Sequence, residues 1–159
     1  MSVISKIQNL LDPNKYYVVT VHDGDTLNLI GGIFNLKKQA VRLVGINAPE
    51  LKSSLKKTTV DQPFGIEARD YLRSLVLGKY ITYEIDITQG KVGIDAFGRI
   101  LAHITTEEKQ NVNLLMVQKG MAKYYPFNPK KPPLNAQLFE RLEAEAKLAK
   151  RGIWGLTIT

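Results

Sequence analysis

The sequence predicts an α+β domain that is mainly β, a five-stranded barrel with three packed helices and a short helix at the N-terminus. The order of elements is the first reason. Three β-rich runs come first, a helical segment follows, then two more β-rich runs and two closing helical segments. Strict alternation of strand and helix, the signature of a parallel α/β sheet, is absent, and the pattern suits a small antiparallel barrel. Size is the second reason, because 159 residues at 44% hydrophobic content can bury one core without staples.

Ile4, Ile7, Leu10 and Leu11 recur at helical spacing behind a capping Ser2, and Asp12-Pro13-Asn14 breaks the pattern. Tyr16 to Val21 and Thr26 to Ile30 flank His22-Asp23-Gly24-Asp25, where Gly24 can take the positive φ of a tight reversal, so a hairpin is expected. Lys37 to Ile46 reads as a third strand that stops at Asn47-Ala48-Pro49-Glu50, since proline cannot donate to a ladder. Leu51 to Pro63 is polar and Lys-rich, the composition of a surface loop. Phe64, Ala68, Tyr71, Leu72 and Leu75 mark a helix closed by Gly78, and Tyr80 to Ile87 and Arg99 to Ile104 are two more strands. Asn111 caps a helix over Val112 to Lys119, Asn128 to Pro133 is a stiff basic linker, and Asn135 to Lys150 sets Leu138, Leu142, Ala146 and Ala149 on one helical face.

Twenty-two Lys and Arg against fifteen Asp and Glu give a net charge of +7, which favours polyanionic partners. No basic tail carries the excess. Residues 1 to 79 hold eleven basic and seven acidic side chains, so any cationic patch is made by folding. Without cysteine there is no disulfide, thiolate nucleophile or cysteine-based zinc site. Met1 to Leu11 lacks the unbroken apolar region of a signal peptide, and no apolar run approaches the roughly 20 residues of a membrane helix. A cytoplasmic protein without membrane contact is expected, or a secreted one were a signal peptide removed.

Taken singly, the polar motifs are ordinary. Asp23-Gly24-Asp25-Thr26 is a hairpin turn, Asn47 to Glu50 is a proline turn, and Arg99 suits a surface ion pair. Their order is more telling. Asp23 to Thr26, Val41-Arg42-Leu43-Val44-Gly45-Ile46-Asn47-Ala48-Pro49-Glu50, Phe64 to Ala68, Asp95-Ala96-Phe97-Gly98-Arg99, Gly120 to Lys123 and Gly152-Ile153-Trp154 run through the chain in succession. In this the sequence resembles the staphylococcal nuclease (thermonuclease-like) family from about Tyr17 to Trp154.

The resemblance implies an OB-fold barrel over residues 16–159 behind an N-terminal extension of residues 1–15. It also implies Ca2+-dependent hydrolysis of DNA and RNA to products ending in 3′-phosphate. Phosphodiester hydrolysis needs a hard cation, an activated water and positive charge aimed at the phosphorane. By position in the family motifs, Asp25, Asn47 and the Ala48 carbonyl would be the metal ligands, all hard oxygen donors. Glu50 would be the general base, with anchoring of the following loop as its alternative role. Arg42 and Arg99 would clamp the phosphate, which guanidinium forks match.

Asn47 departs from the family, which more often has aspartate there. An amide keeps the oxygen and loses a charge, which implies weaker metal binding or a changed metal preference. Lys56 and Lys57 are candidates for exposed phosphate contacts, and Tyr125 for base stacking. Asp23 and Asp95 suit turn-forming and loop-bracing roles, His22 and His103 structural ones, and Trp154 core space beneath the last helix. The expected partners are single-stranded or locally unpaired DNA and RNA, met by a monomer. The competing function is a non-catalytic OB-fold module that binds nucleic acid or serves as a scaffold.

Overall fold

The structure, a computed structural model, describes residues 2–31, 35–53 and 59–156. In chain order its elements are α1 (Val3–Leu11), β1 (Tyr16–Asp23), β2 (Thr26–Ile30), β3 (Gln39–Leu43), β4 (Ile46–Asn47), α2 (Gly65–Val76), β5 (Tyr80–Ile85), β6 (Ile100–Thr106), α3 (Val112–Gln118), β7 (Lys123–Tyr124), α4 (Ala136–Leu148) and a 3-10 helix (Gly152–Gly155). Five strands close into a barrel in the order β1-β2-β3-β6-β5, and β4 and β7 form a separate two-stranded ribbon. Among the described residues, no helix is long and apolar enough to cross a membrane.

The barrel is mixed rather than antiparallel. β1, β2 and β3 form an antiparallel meander, with Asp23 opposite Thr26 and Thr26 opposite Arg42, and β5 pairs antiparallel with both β1 and β6. β3 and β6, however, run parallel, with Val41 opposite Ile100 and Arg42 opposite Leu101. No hairpin joins them, so nothing local fixes their relative direction, and the long connection allows the parallel ladder.

Period-2 alternation turns Val18, Leu27, Leu29, Val41, Leu43, Ile81 and Ile104 inward, where each is almost wholly buried. The barrel is sealed by Ala68, Leu72 and Val76 of α2, Met116 of α3 and Phe139 of α4. Asn113 of α3 is buried and fully used: its Oδ1 accepts from the Ile104 N–H at 3.0 Å and its Nδ2 donates to the carbonyls of Val44 and Ala102, both at 2.9 Å. One amide thus stitches α3 to the end of β3 and the middle of β6.

Several local expectations change. The third strand is broken at Val44 and Gly45, because Gly45 adopts φ +79° and turns the chain into β4. Gly24 is not in the left-handed region. Glycine is needed there for space, since a Cβ would lie 2.6 Å from the Ala48 Cβ and 2.8 Å from the Ala68 Cβ. The caps expected of Ser2 and Asn111 both form. α1 turns Val3, Ile4, Ile7 and Leu11 outward, and is tied down by Asn9, which donates to Glu107 at 3.1 Å.

Candidate active site

The site lies at the end of the barrel where the β1–β2 turn, the β3–β4 turn and the start of β6 come together. Asp25 follows Gly24, whose missing side chain lets the turn sit directly on Ala48 and Ala68. Asp23 is the turn former expected of it, its Oδ1 accepting the Asp25 N–H at 3.1 Å. Asp25 itself is 1% exposed. Its Oδ2 accepts the Ala48 N–H at 2.7 Å and pairs with Arg42 Nη2 at 3.1 Å, and its Oδ1 accepts the Thr26 hydroxyl at 3.1 Å. A carboxylate removed from water to this degree stays charged only when paired and hydrogen-bonded in this way.

Arg42 projects from β3 into the same space and is almost wholly buried. Nη1 donates to the carbonyls of Leu43 at 2.7 Å and Ile46 at 2.9 Å, closing the turn between β3 and β4. Nη2 donates to Asn47 Oδ1 at 3.2 Å as well as meeting Asp25. Two oxygens, one charged and one neutral, therefore converge on a single positively charged nitrogen. Asn47 is exposed at the tip of β4, and Ala48 behind it is buried. Glu50 ends this turn half-buried, with its N–H donating to Gln62 Oε1 and its carbonyl accepting the Gln62 N–H, both at 2.8 Å.

Arg99 enters from the segment before β6. Asp95 braces that loop as expected, its Oδ1 accepting the Phe97 and Arg99 N–H groups at 2.9 Å. It does more than the sequence suggested, because its Oδ2 accepts from Arg99 Nε at 2.7 Å and sets the guanidinium plane. Arg99 Nη1 then reaches Thr26 Oγ1 at 3.3 Å. The two arginines thus flank the Asp25-Thr26 pair, one from β3 and the other from the residue just before β6.

Asp25, Arg42, Asn47, Ala48 and Arg99 are brought together, and Glu50 stands on the same turn as Asn47. Tyr125 is half-exposed and edge-on to Phe127 at 5.1 Å. Sequence reasoning passed over Phe127, whose ring lies 5.2 Å from the Arg42 guanidinium carbon, and Phe97, 79% exposed and 5.3 Å from that of Arg99. The available signal was an aromatic residue two positions before Arg99 and another in the Tyr124-Tyr125-Pro126-Phe127 cluster. Lys56 and Lys57 lie outside the described residues.

The two histidines meet different partners. His22 is exposed beside Asn28, and His103 is buried with Nε2 3.0 Å from Asp86 Oδ2. Trp154 is half-buried under Lys147 and Lys123, 4.5 and 5.3 Å from its ring centroid, rather than deep in the core.

Divalent-cation chemistry fits this donor set in one respect and is thin in another. The convergence of the Asp25 and Asn47 oxygens on a cationic nitrogen marks a point where positive charge is already stabilised. Among the described residues, though, no group of three or more His, Cys, Asp or Glu side chains could hold a metal ion, so one would depend on amide and carbonyl oxygens beside Asp25.

The sequence profile described as "Staphylococcal nuclease homologue" matches residues 40–155, which include Arg42, Asn47, Glu50 and Arg99. The chain is 34% identical over 137 residues to the endonuclease YhcR of Bacillus subtilis, a match that covers 84% of this chain and 11% of that protein. It is 35% identical over 137 residues to an uncharacterised endonuclease of Escherichia coli, covering 86% of this chain and 74% of that one. Identity to the thermonuclease of Staphylococcus hyicus is 30% over 142 residues, covering 87% and 75%. With a closed five-stranded barrel and a family match across most of its length, the chain belongs to the staphylococcal nuclease family.

Proposed function

We propose that this chain is a metal-dependent nuclease that hydrolyses single-stranded DNA and RNA with Ca2+, leaving products that end in 3′-phosphate. The observation that carries the reading is the pair of arginines around Asp25-Thr26, each held in a fixed orientation by a carboxylate, Arg42 by Asp25 and Arg99 by Asp95. Preorganised cations of this kind stabilise charge that develops on a phosphoryl group. Asp25, Asn47 Oδ1 and the Ala48 carbonyl would hold the cation, which supplies Lewis-acid charge when bound.

In this scheme Glu50 takes a proton from the attacking water, the new P–O bond forms, and the bond to the 5′ oxygen breaks as that oxygen takes a proton from solvent water. Were Asp25 and Asn47 to take up a cation, Arg42 Nη2 would be released from those oxygens, and Nη2 and Arg99 would then orient the phosphate oxygens and offset their charge through the transition state. The site lies wholly within residues 16–159, with the first 15 residues an appendage to it.

A second reading, a non-catalytic binding module, is favoured by two details. Asn47 brings no charge, and Arg42 Nη1 is already committed to two carbonyls of its own chain. Incubation with single-stranded DNA, with added calcium and separately with excess chelator, distinguishes them. The nuclease reading requires cutting with calcium and none with chelator. Undiminished cutting in chelator removes the metal from the mechanism, and binding without cutting under either condition leaves the module.

A further inference from the structure

α1 is packed with its polar side inward. At about 100° per residue, Val3, Ile4, Ile7 and Leu11 share one arc of the helix, bordered by the half-buried Leu10, and Ser5, Lys6, Gln8 and Asn9 occupy the rest. A helix on a globular domain normally turns such a stripe to the core. Here the buried residue is Asn9, whose Nδ2 donates to Glu107 and whose Oδ1 accepts from Lys15, while the four apolar side chains are between 49% and 72% exposed. A contiguous apolar stripe left in water marks a surface for interaction.

The position of α1 in the fold limits what it can meet. It leads into β1, whose first residue, Tyr16, pairs with Ile81 at the start of β5, and its anchor Glu107 directly follows the end of β6. From there β1 travels roughly 25 Å to Asp23, and β6 has its other end beside Arg99. α1 therefore sits at the pole of the barrel opposite Asp25, Arg42 and Arg99, and whatever it rests on leaves that site open. Four side chains fall far short of the roughly 20 residues a side of a stable protein interface. An uncharged stripe on a convex helix instead suits a medium that deforms around it. Lys6 is the one ionised side chain in α1, Lys6, Lys15, Lys79 and Lys109 at this pole outnumber Asp12, Glu107 and Glu108, and the whole chain carries +7. Anionic lipid headgroups attract a chain of that charge.

We propose that α1 is an interfacial helix by which the chain rests on an anionic lipid surface, with Val3, Ile4, Ile7 and Leu11 immersed at the headgroup boundary and the opposite pole of the barrel facing water. A helix of nine residues lies in the plane of such a surface and does not cross it. The attachment leaves the polar side of α1, and with it the Asn9 bond to Glu107, as it stands in the free chain. It is independent of whether the site at the far pole cuts or only binds.

Co-sedimentation of the full chain with vesicles tests this. Vesicles of phosphatidylcholine and phosphatidylglycerol at about 3:1 should take up the chain, and vesicles of phosphatidylcholine alone should take up roughly 10-fold less. Ile4→Gln with Ile7→Gln should lower uptake by the mixed vesicles at least about 10-fold, and Ile4→Leu with Ile7→Leu should retain it. Both side chains are exposed, so urea melts should not change. Because the chain has no cysteine, Ile7→Cys and Phe97→Cys each take a single environment-sensitive dye. Mixed vesicles should blue-shift the dye at position 7 and leave the dye at position 97, on the loop that carries Arg99, unchanged. Full uptake of the Gln double variant, equal uptake by both kinds of vesicle, or a shift at position 97 as large as that at position 7 would each overturn the proposal. A dimer in sedimentation equilibrium that the Gln double variant splits would also overturn it, since α1 would then meet a second copy.

Discussion

Arg42 Nη2 stands 3.1 Å from Asp25 Oδ2, and the two side chains are 6% and 1% exposed, so each supplies the charge that lets the other remain buried. The same guanidinium closes the β3–β4 turn through Leu43 and Ile46, so a single side chain fixes both the backbone of the site and its electrostatics. Arg99 is different, because its pair with Asp95 is only partly buried, at 17% and 15% exposed, and its side chain reaches Asp95 and Thr26 rather than a main-chain carbonyl.

That difference separates the two arginines in experiment. Arg42→Ala is expected to destabilise the fold by about 3–5 kcal/mol, the usual loss when one partner of a buried pair is removed. Arg99→Ala removes a partly buried, charge-assisted hydrogen bond and should cost less, about 1–3 kcal/mol. Both should lower turnover by roughly 100- to 1000-fold while weakening substrate binding much less. Urea melts with single-turnover cleavage and equilibrium binding measure all three. Loss of binding in proportion to rate in Arg99→Ala would return the site to a binding role.

Asn47→Asp restores a carboxylate beside Asp25. Ligand charge helps to set calcium affinity, so the variant should bind Ca2+ more tightly by titration calorimetry. Equal or weaker affinity would show that Asn47 is not a ligand.

Gly24→Ala tests the close approach of the turn to Ala48 and Ala68. An added Cβ at 2.6 and 2.8 Å from those side chains forces the turn away, and a loss of about 1–3 kcal/mol is expected, together with reduced activity as Asp25 moves. A variant as stable and active as the parent would mean the turn can shift freely.

Asp86 predicts how the fold responds to acid. Burial pushes its carboxyl up, but hydrogen bonds from Thr88, His103 and Leu134 outweigh that and hold it below its ordinary value of 3.8. Since the folded value lies below the unfolded one, the resulting stability is complete above the ordinary value and drains away as pH falls through the folded one. Asp86→Asn should lose about 1.5–3 kcal/mol at neutral pH and show a flatter acid limb in denaturation curves. An unchanged acid limb would exclude Asp86 as a source of that dependence.

Much of the fold was legible because it is written in local rules. Ser2 and Asn111 announce their helices through caps, and Val18, Leu27, Leu29 and Val41 mark inward faces by alternation. The candidate residues were legible as an ordered set of motifs, and the fold brings Asp25, Arg42 and Asn47 into contact and Arg99 to the neighbouring Thr26. What stayed hidden depends on partners distant in sequence. The parallel pairing of β3 with β6, Gly24 against Ala68, and Phe127 beneath Arg42 leave no periodic trace. Arg42's two carbonyl bonds were equally unreadable, since nothing in a motif says which nitrogen is already occupied.

The parallel ladder also governs when the site comes into being. Arg42 sits opposite Leu101, two residues beyond Arg99, so the two guanidinium groups are neighbours only once strands far apart in sequence have found each other. Loop-closure entropy must be overcome before that pairing returns anything, which makes it a slow step in folding. A nascent chain that has released β1 to β5 therefore carries an open sheet and no assembled centre. During refolding, barrel closure and the first appearance of activity should share one time constant.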